Sequence, residues 1–511
     1  MNFGINGSYK ENKRQEFSRQ QTLSNSPLKG ENSLPLREGW GGSPASLFRH
    51  QFVDAPPRSK FQLNSFVQYT FSLGEHYRQF VLGYRFSHSN RREQESIYRL
   101  DRLANADSSF SKPIDLLPSV TEYQQVFDRT NSHLAHYIDN TSAFWADFKY
   151  GLGQKEWGQF YLDFRIDATL NAQRHDYERG SIDTLLHRFS PTFEFKTKPW
   201  LRTKDGHHAG LEVRVRSEAP ELLNEAAIVD DTDPMNIRIG NPDLRYAIRT
   251  DAVLDGNLYS MNKRMHNRLD LSYGFTHNAI GIGQIYDRET GRRTFCPTNV
   301  NGNWDASAKH TINYSFGDGK KHSASMVTQF SYRNSVDLMS DNGQQTTDYG
   351  QLPINKSVVR TASLSFSPKV SLSLGKHTLG FSSDVAWNRY TSDRSTFQNI
   401  NAWQYRIGAD AIVHLPWKFD LTTDLTLYGR TGYADASLNT ADVVWNARLA
   451  HALFKGKWVV MLDGFDILGQ LSNVTRTINA QGRTETYTNV LPRYGLLHAV
   501  YKFQKTPKKR D

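Results

Sequence analysis

Clusters of oxygen and imidazole ligands are the first places where this chain could do chemistry. Asp230-Asp231-Thr232-Asp233 offers the hard oxygens that calcium takes. It lacks the spacing and central glycine of an EF-hand loop, so it reads as a solvated loop. His207-His208 has no partner at metal-site spacing. A Ser-His-Asp site assembles in space, which leaves a lipase as a minor alternative, but no Gly-x-Ser-x-Gly elbow is present. Gly281-Ile282-Gly283 lacks the third glycine of a dinucleotide fingerprint and lies in a strand pattern. The single cysteine, Cys296, excludes an internal disulfide framework, and beside Pro297 it reads as an incidental thiol in a loop. The expectation is a non-enzyme with no catalytic, cofactor-binding or metal residues. Asn241-Pro242 is the most informative loop step. Pro242 fixes its own φ and pushes Asn241 to an extended conformation, which turns a loop back toward its element; direct ligand contact is the lesser alternative.

The elements that would position such residues are strands. In 160–170, Phe160, Leu162, Phe164, Ile166, Ala168 and Leu170 share one face, while Tyr161, Asp163, Arg165, Asp167 and Thr169 share the other. Leu211, Val213 and Val215 oppose Glu212, Arg214 and Arg216 in the same way. Many such stretches reach about ten residues or more, the span of a tilted transmembrane strand. Short links (Gly74-Glu75, Gln154-Lys155-Glu156, Gly317-Asp318-Gly319, Gly375-Lys376, Pro416, Gly456) alternate with long ones such as 91–140, 218–245, 338–356 and 469–485. One end of the strands is trimmed and the other elaborated, as in outer-membrane barrels. Tryptophans 145, 157, 200, 387, 403, 417, 445 and 458 fall near expected strand ends, the place of an interfacial girdle.

Composition agrees. The 511 residues are only 38% hydrophobic but 12% aromatic, which argues against disorder. Mean hydropathy is −0.62, and no run of about 18 apolar residues suggests a helical span. The net charge of +10 is spread along the chain rather than gathered in a patch, so nucleic acid is not the expected partner. The fold class predicted is all-β: a large antiparallel transmembrane β-barrel of about eighteen strands. Residues 1–59 are read as a first strand plus a Pro/Gly-rich irregular segment, with 24–46 an insertion; 60–503 as the barrel with long external loops; 504–511 as a basic tail. Met1–Ile5 already reads as a strand with no secretory signal, which suggests a portion of a longer precursor.

The chain ends its periodic part on 495–503, where Leu497, Ala499, Tyr501 and Phe503 share a face. This ending resembles the last strand of outer-membrane barrels, in which Tyr501 and Phe503 would serve as the assembly signal read by the barrel-assembly machinery. A narrower resemblance rests on Val53-Asp54-Ala55-Pro56-Pro57-Arg58, Ile239-Gly240-Asn241-Pro242-Asp243-Leu244-Arg245, Asp463-Gly464-Phe465-Asp466-Ile467-Leu468-Gly469-Gln470-Leu471-Ser472-Asn473, the tract 479–485 and Leu491-Pro492-Arg493-Tyr494. These look like the barrels of TonB-dependent receptors from the Bacteroidetes. The resemblance implies a 22-stranded barrel, possible here in incomplete form, an outer-membrane location in a Gram-negative bacterium, contact with outer-membrane lipid, an imported ligand, and a plug domain and TonB system as partners. No tract of this chain matches a plug or a TonB box, so the expected function is the channel part of a nutrient receptor. A non-transporting structural or ligand-binding barrel is the alternative.

Overall fold

In the computed structural model, the structure describes residues 2–22, 47–74, 78–103, 118–153, 155–180, 182–230, 236–260, 264–286, 292–340, 355–394, 397, 399–434, 436, 439–470, 474–479, 482–487 and 493–503. Its strands are β1 (Asn2–Thr22), β2 (Leu47–Ser72), β3 (Gln79–Arg99), β4 (His133–Leu152), β5 (Gly158–Arg179), β6 (Ile182–Thr203), β7 (His208–Glu218), β8 (Val229–Asp230), β9 (Asn236–Ile239), β10 (Ala247–Ser260), β11 (Met265–His277), β12 (Ala279–Tyr286), β13 (Arg293–Val300), β14 (Asn303–Phe316), β15 (His322–Ser340), β16 (Asn355–Leu374), β17 (His377–Ser392), β18 (Ile400–Leu415), β19 (Phe419–Thr431), β20 (Thr440–Leu453), β21 (Trp458–Phe465), β22 (Val474–Asn479), β23 (Gly482–Tyr487) and β24 (Tyr494–Tyr501). Two short helices, α1 (Val120–Gln124) and α2 (Leu222–Glu225), lie in the links.

Twenty-two strands form one sheet. Of these, β8, β9, β12 and β13 belong to loops, and the other eighteen pair antiparallel in chain order as the wall of a large β-barrel. The expected strand count and fold class therefore stand. Among the described residues, no pairing joins β24 to β1.

Directly paired residues of neighbouring strands point to the same side, so the register shows what each face presents. One row runs Leu211, Leu254, Leu271, Ala308, Phe330, Leu364, Trp387 and Trp403 from β7 to β18. A row of the opposite face runs Asp147, Arg165, Lys196, Arg214, Asp251, Gly274, Asp305 and Arg333. The first row is apolar throughout and suits lipid, although His310 and Arg389 enter neighbouring rows of the same face; the second holds charges in ion pairs and suits a wet lumen. Arg165 meets Asp167 at 2.6 Å, Lys196 meets Glu212 at 3.2 Å and Lys198 meets Asp255 at 3.4 Å. Arg249 spans from Asp251 (2.7 Å) to Asp305 (2.8 Å) across Gly274, where a Cβ would sit 2.0 Å from the guanidinium. Trp145 departs from the girdle expectation. It lies mid-strand on the lumen face, buried between Arg85 and Arg165 at 5.6 and 5.3 Å from its ring.

The short-long rhythm holds with one exception. The link between β5 and β6, at residues 180–181, is short although it lies at the long-loop end; there both strands extend to 22 residues instead. The first strand runs to Thr22 and the second begins at Leu47, so the irregular segment is narrower than expected. Residues 23–46 lie outside the described residues. Pro56-Pro57, taken as loop punctuation, sits inside β2 at a register shift between Asp54 and Ser59. A bulge is where a strand tolerates prolines, because the missing N–H donors fall outside the ladder. The stretch 91–140 is likewise partly strand, with β3 continuing to Arg99 and β4 starting at His133.

Candidate ligand vestibule at the long-loop end

At the long-loop end, the wall is roofed by a small sheet made of loop strands. β12 and β13 form a hairpin, β9 adds to β13 in parallel, β8 pairs with β9, and β12 joins the outer end of β15 in parallel at Gln284–Met339. β11 and β12 are separated by a single residue, Asn278, which turns the chain at φ 50°. Ala279, Val300 and Leu338 bury one another, with Val336 packed alongside, and this apolar knot pins the hairpin to β15. Cys296 lies in β13 rather than in a loop and is buried; burial pushes its thiol pKa up.

The Asn241-Pro242 step fixes the return loop to that sheet. Asn241 Nδ2 donates to the Pro297 carbonyl at 2.9 Å, and its Oδ1 accepts from the Asp243 N–H at 3.0 Å. The Gly240 N–H donates to the Ile228 carbonyl at 2.9 Å and the Asn241 N–H to the Asn224 carbonyl at 2.7 Å. Asn299 closes the corner, accepting from the Arg245 N–H at 2.7 Å and donating to the carbonyls of Arg245 and Asn278. The backbones here are so close that a Cβ on Gly240 would stand 1.7 Å from the Ala226 carbonyl oxygen. All these contacts hold the loop itself. Glycine at 240 is the sequence signal for this close approach, and it was legible only as part of the motif.

Beneath this corner is a cavity of ≈ 440 Å³. Tyr177 and Arg179 reach it from the inner face of β5; Glu221, Asn224, Ile228 and Asp230 come from the return loop; Arg238 and Ile239 come from β9; Ile282, Phe295 and Pro297 form the far wall. Its charges are partly spent on geometry. Arg179 Nη1 meets Asp230 at 3.2 Å, and nearby Arg188 Nη1 donates to Glu225 at 2.5 Å while also bonding Gln173. Among the described residues, Arg179 Nε is buried with no hydrogen-bond acceptor. Arg179 and Phe295 were not singled out by sequence reasoning; nothing in a lone Arg or Phe marks it until the loop folds over it.

Other sequence candidates lie elsewhere. Asp230 is taken by Arg179, and residues 231–233 lie outside the described residues. His208 Nε2 bonds Asp255 at 2.7 Å on the lumen face, while His207 Nδ1 accepts from the Tyr259 N–H at 3.1 Å. No group of three or more potential metal ligands occurs among the described residues. The tract beginning at Asp463 is a locked corner. Arg448 holds Asp463 at 2.6 and 2.9 Å, Ile467 N–H bonds the Trp445 carbonyl at 2.8 Å, and Asp466 accepts from the Gln470 N–H at 3.1 Å. His498 Nε2 lies 2.9 Å from Asp463 but is not aligned as a hydrogen bond. Residues 471–473 lie outside the described residues. Tyr501 pairs with Trp458 in the last register and Phe503 follows the strand; both are exposed.

No family model matches the chain, and no curated protein matches it. Among solved structures, it is similar to the siderophore receptor PirA from Pseudomonas aeruginosa at 10% identity and a TM-score of 0.35, covering 97% of this chain and 80% of that one. It is also similar to a chain of the FpvAI–pyocin S2 complex at 10% identity and a TM-score of 0.38, covering 96% and 69%. Superpositions this loose carry no argument about function.

Proposed function

We propose that this chain is an outer-membrane β-barrel of a Gram-negative bacterium, the channel part of a TonB-dependent nutrient receptor. The observation that supports the reading most is a row of apolar side chains running from β7 to β18 on one face of the eighteen-strand wall, with ion-paired charges on the opposite face. Only a wall between lipid and water rewards both at once. The Bacteroidetes type, the plug and the TonB system rest on the sequence motifs alone, and so does the assembly role of Tyr501 and Phe503. In this reading the long loops capture a solute, and the cavity beside Arg179 is where it first rests. The guanidinium groups of Arg179 and Arg238, with Tyr177 and Phe295 nearby, favour a solute that bears a carboxylate or other anionic group on an apolar body.

The test is reconstitution of the full chain from detergent into phosphatidylcholine vesicles. Insertion gives protease-resistant strands and a gel mobility that changes on boiling; recovery of a soluble, detergent-free chain would end the membrane reading. Solute capture, read as ligand-induced quenching of tryptophan fluorescence, is expected to weaken by about tenfold in Arg179→Ala, the loss of one charge-assisted bond. A second reading, a ligand-binding barrel that does not transport, is favoured by the cavity being built wholly from wall and loop residues. Capture without uptake in whole cells distinguishes it.

A further inference from the structure

We propose that the short-turn rim is a basic collar that binds the headgroups of anionic phospholipids. The proposal rests on the reading that the wall lies in a bilayer. Eight hairpins end at this rim, and the seven after β3 each offer an exposed cation: Lys155 after β4, Lys204 after β6, Arg264 after β10, Lys321 after β14, Lys376 after β16, Lys418 after β18 and Lys457 after β20. Glu156, Asp205 and Asp318 are the acids on the same links. Among the described residues, no ion pair engages any of the seven cations. Neighbouring hairpin ends lie about two strand spacings apart, roughly 10 Å. That equals about one Debye length at 0.1 M salt, so the seven fields merge into a belt instead of acting as separate points.

The rim also shows at what depth it sits. Trp417 and Phe454 adopt φ of 59° and 48°, a left-handed conformation that disfavours bulky residues, and they are 83% and 73% exposed. The tight hairpin imposes that φ, but in water the position favours glycine or asparagine rather than an aromatic ring. A turn at the boundary between acyl chains and headgroups gains burial of both rings, with Lys418 and Lys457 beside them at phosphate level. Aromatic rings and free cations thus point to the same partner, an anionic lipid leaflet.

Native mass spectrometry of the full chain in dodecyl maltoside, titrated with dioleoylphosphatidylglycerol or dioleoylphosphatidylcholine, tests this. The glycerol lipid is expected to be retained about tenfold better in 50 mM ammonium acetate and less than about threefold better in 500 mM. The quadruple variant K321Q/K376Q/K418Q/K457Q is expected to fall below about twofold, and Arg360→Gln, at the opposite end, to keep the full preference. Equal retention of the two lipids, an unchanged quadruple variant, or loss of preference in Arg360→Gln overturns the collar. Complete displacement by soluble glycerol 1-phosphate also overturns it, since a free phosphate would then be the occupant. A chain that inserts into phosphatidylcholine vesicles but shows no lipid preference refutes the collar alone, whereas failure to insert refutes the channel reading.

Discussion

The two ends of this barrel use their cations in opposite ways. At the long-loop end, arginines are tied to carboxylates: Arg179 to Asp230, Arg188 to Glu225, Arg99 to Asp101, Arg360 to Asp393. At the short-turn end, lysines stand alone among the described residues. A planar guanidinium fork can hold a loop in one shape, whereas a flexible ammonium stem is better suited to meeting a fluid partner. The difference separates charge used to build a site from charge left for something outside the protein.

The sharpest way to break this contrast is to loosen the built end. Gly240→Ala places a Cβ against the Ala226 carbonyl, a backbone atom that cannot swing away. The return loop is expected to lose about 3 kcal/mol or more of local stability. Hydrogen exchange is expected to accelerate over 224–241 while the wall strands keep their protection; an unaltered loop would mean that the corner is not held as described. Next, Arg188→Ala leaves Glu225 and Gln173 without their donor and is expected to cost about 1–3 kcal/mol in denaturant unfolding from micelles. Lys376→Ala, at the free end, is expected to stay within about 0.5 kcal/mol. Equal costs would erase the distinction between the two rims.

Cys296 provides a milder measure. Its buried, up-shifted thiol should react with a soluble disulfide reagent only when the hairpin opens, about tenfold more slowly for each 1.4 kcal/mol of opening free energy. Gly240→Ala should shorten that delay and Lys376→Ala should not. The smallest effect concerns α1. The Ser119 hydroxyl and N–H both donate to Glu122, and these bonds lower the carboxyl pKa. A depressed acid stabilises the helix fully above the ordinary glutamate value and ceases to do so as pH falls through the folded-state value. Exchange of the amides 123–125 relative to those of the wall is expected to rise only in that acidic window.

Much of the wall was legible in the sequence because lipid on one side and water on the other impose a period of two. Phe160–Leu170 and Leu211–Val215 are found as read. The pattern fades where strands leave the bilayer. Both faces of Arg91–Arg99 and His133–Asn140 are wet or loop-covered, so their alternation disappears although the ladder continues from β3 to β4. The prolines of β2 hid a bulge for a related reason, since a local punctuation rule does not see the neighbouring strand. Asn241-Pro242 was found as a turn, but Pro297, which Asn241 bonds, and Asn299, which Arg245 bonds, lie more than fifty positions away on a loop hairpin that no periodicity announces. The cavity was invisible for the same reason.

Those parallel pairings also set an order of events. A hairpin can zip from its turn, but β9 against β13 and β12 against β15 must wait for distant strands to be in place. The roof at the long-loop end is therefore expected to mature last, after β14 and β15 have joined. A half-assembled barrel would already have its turn-side charges and its apolar face, yet no vestibule. Pulse labelling of Cys296 during refolding should show its thiol becoming protected after the wall amides. The protein would acquire its grip on the membrane before it acquires anything to grip a solute with.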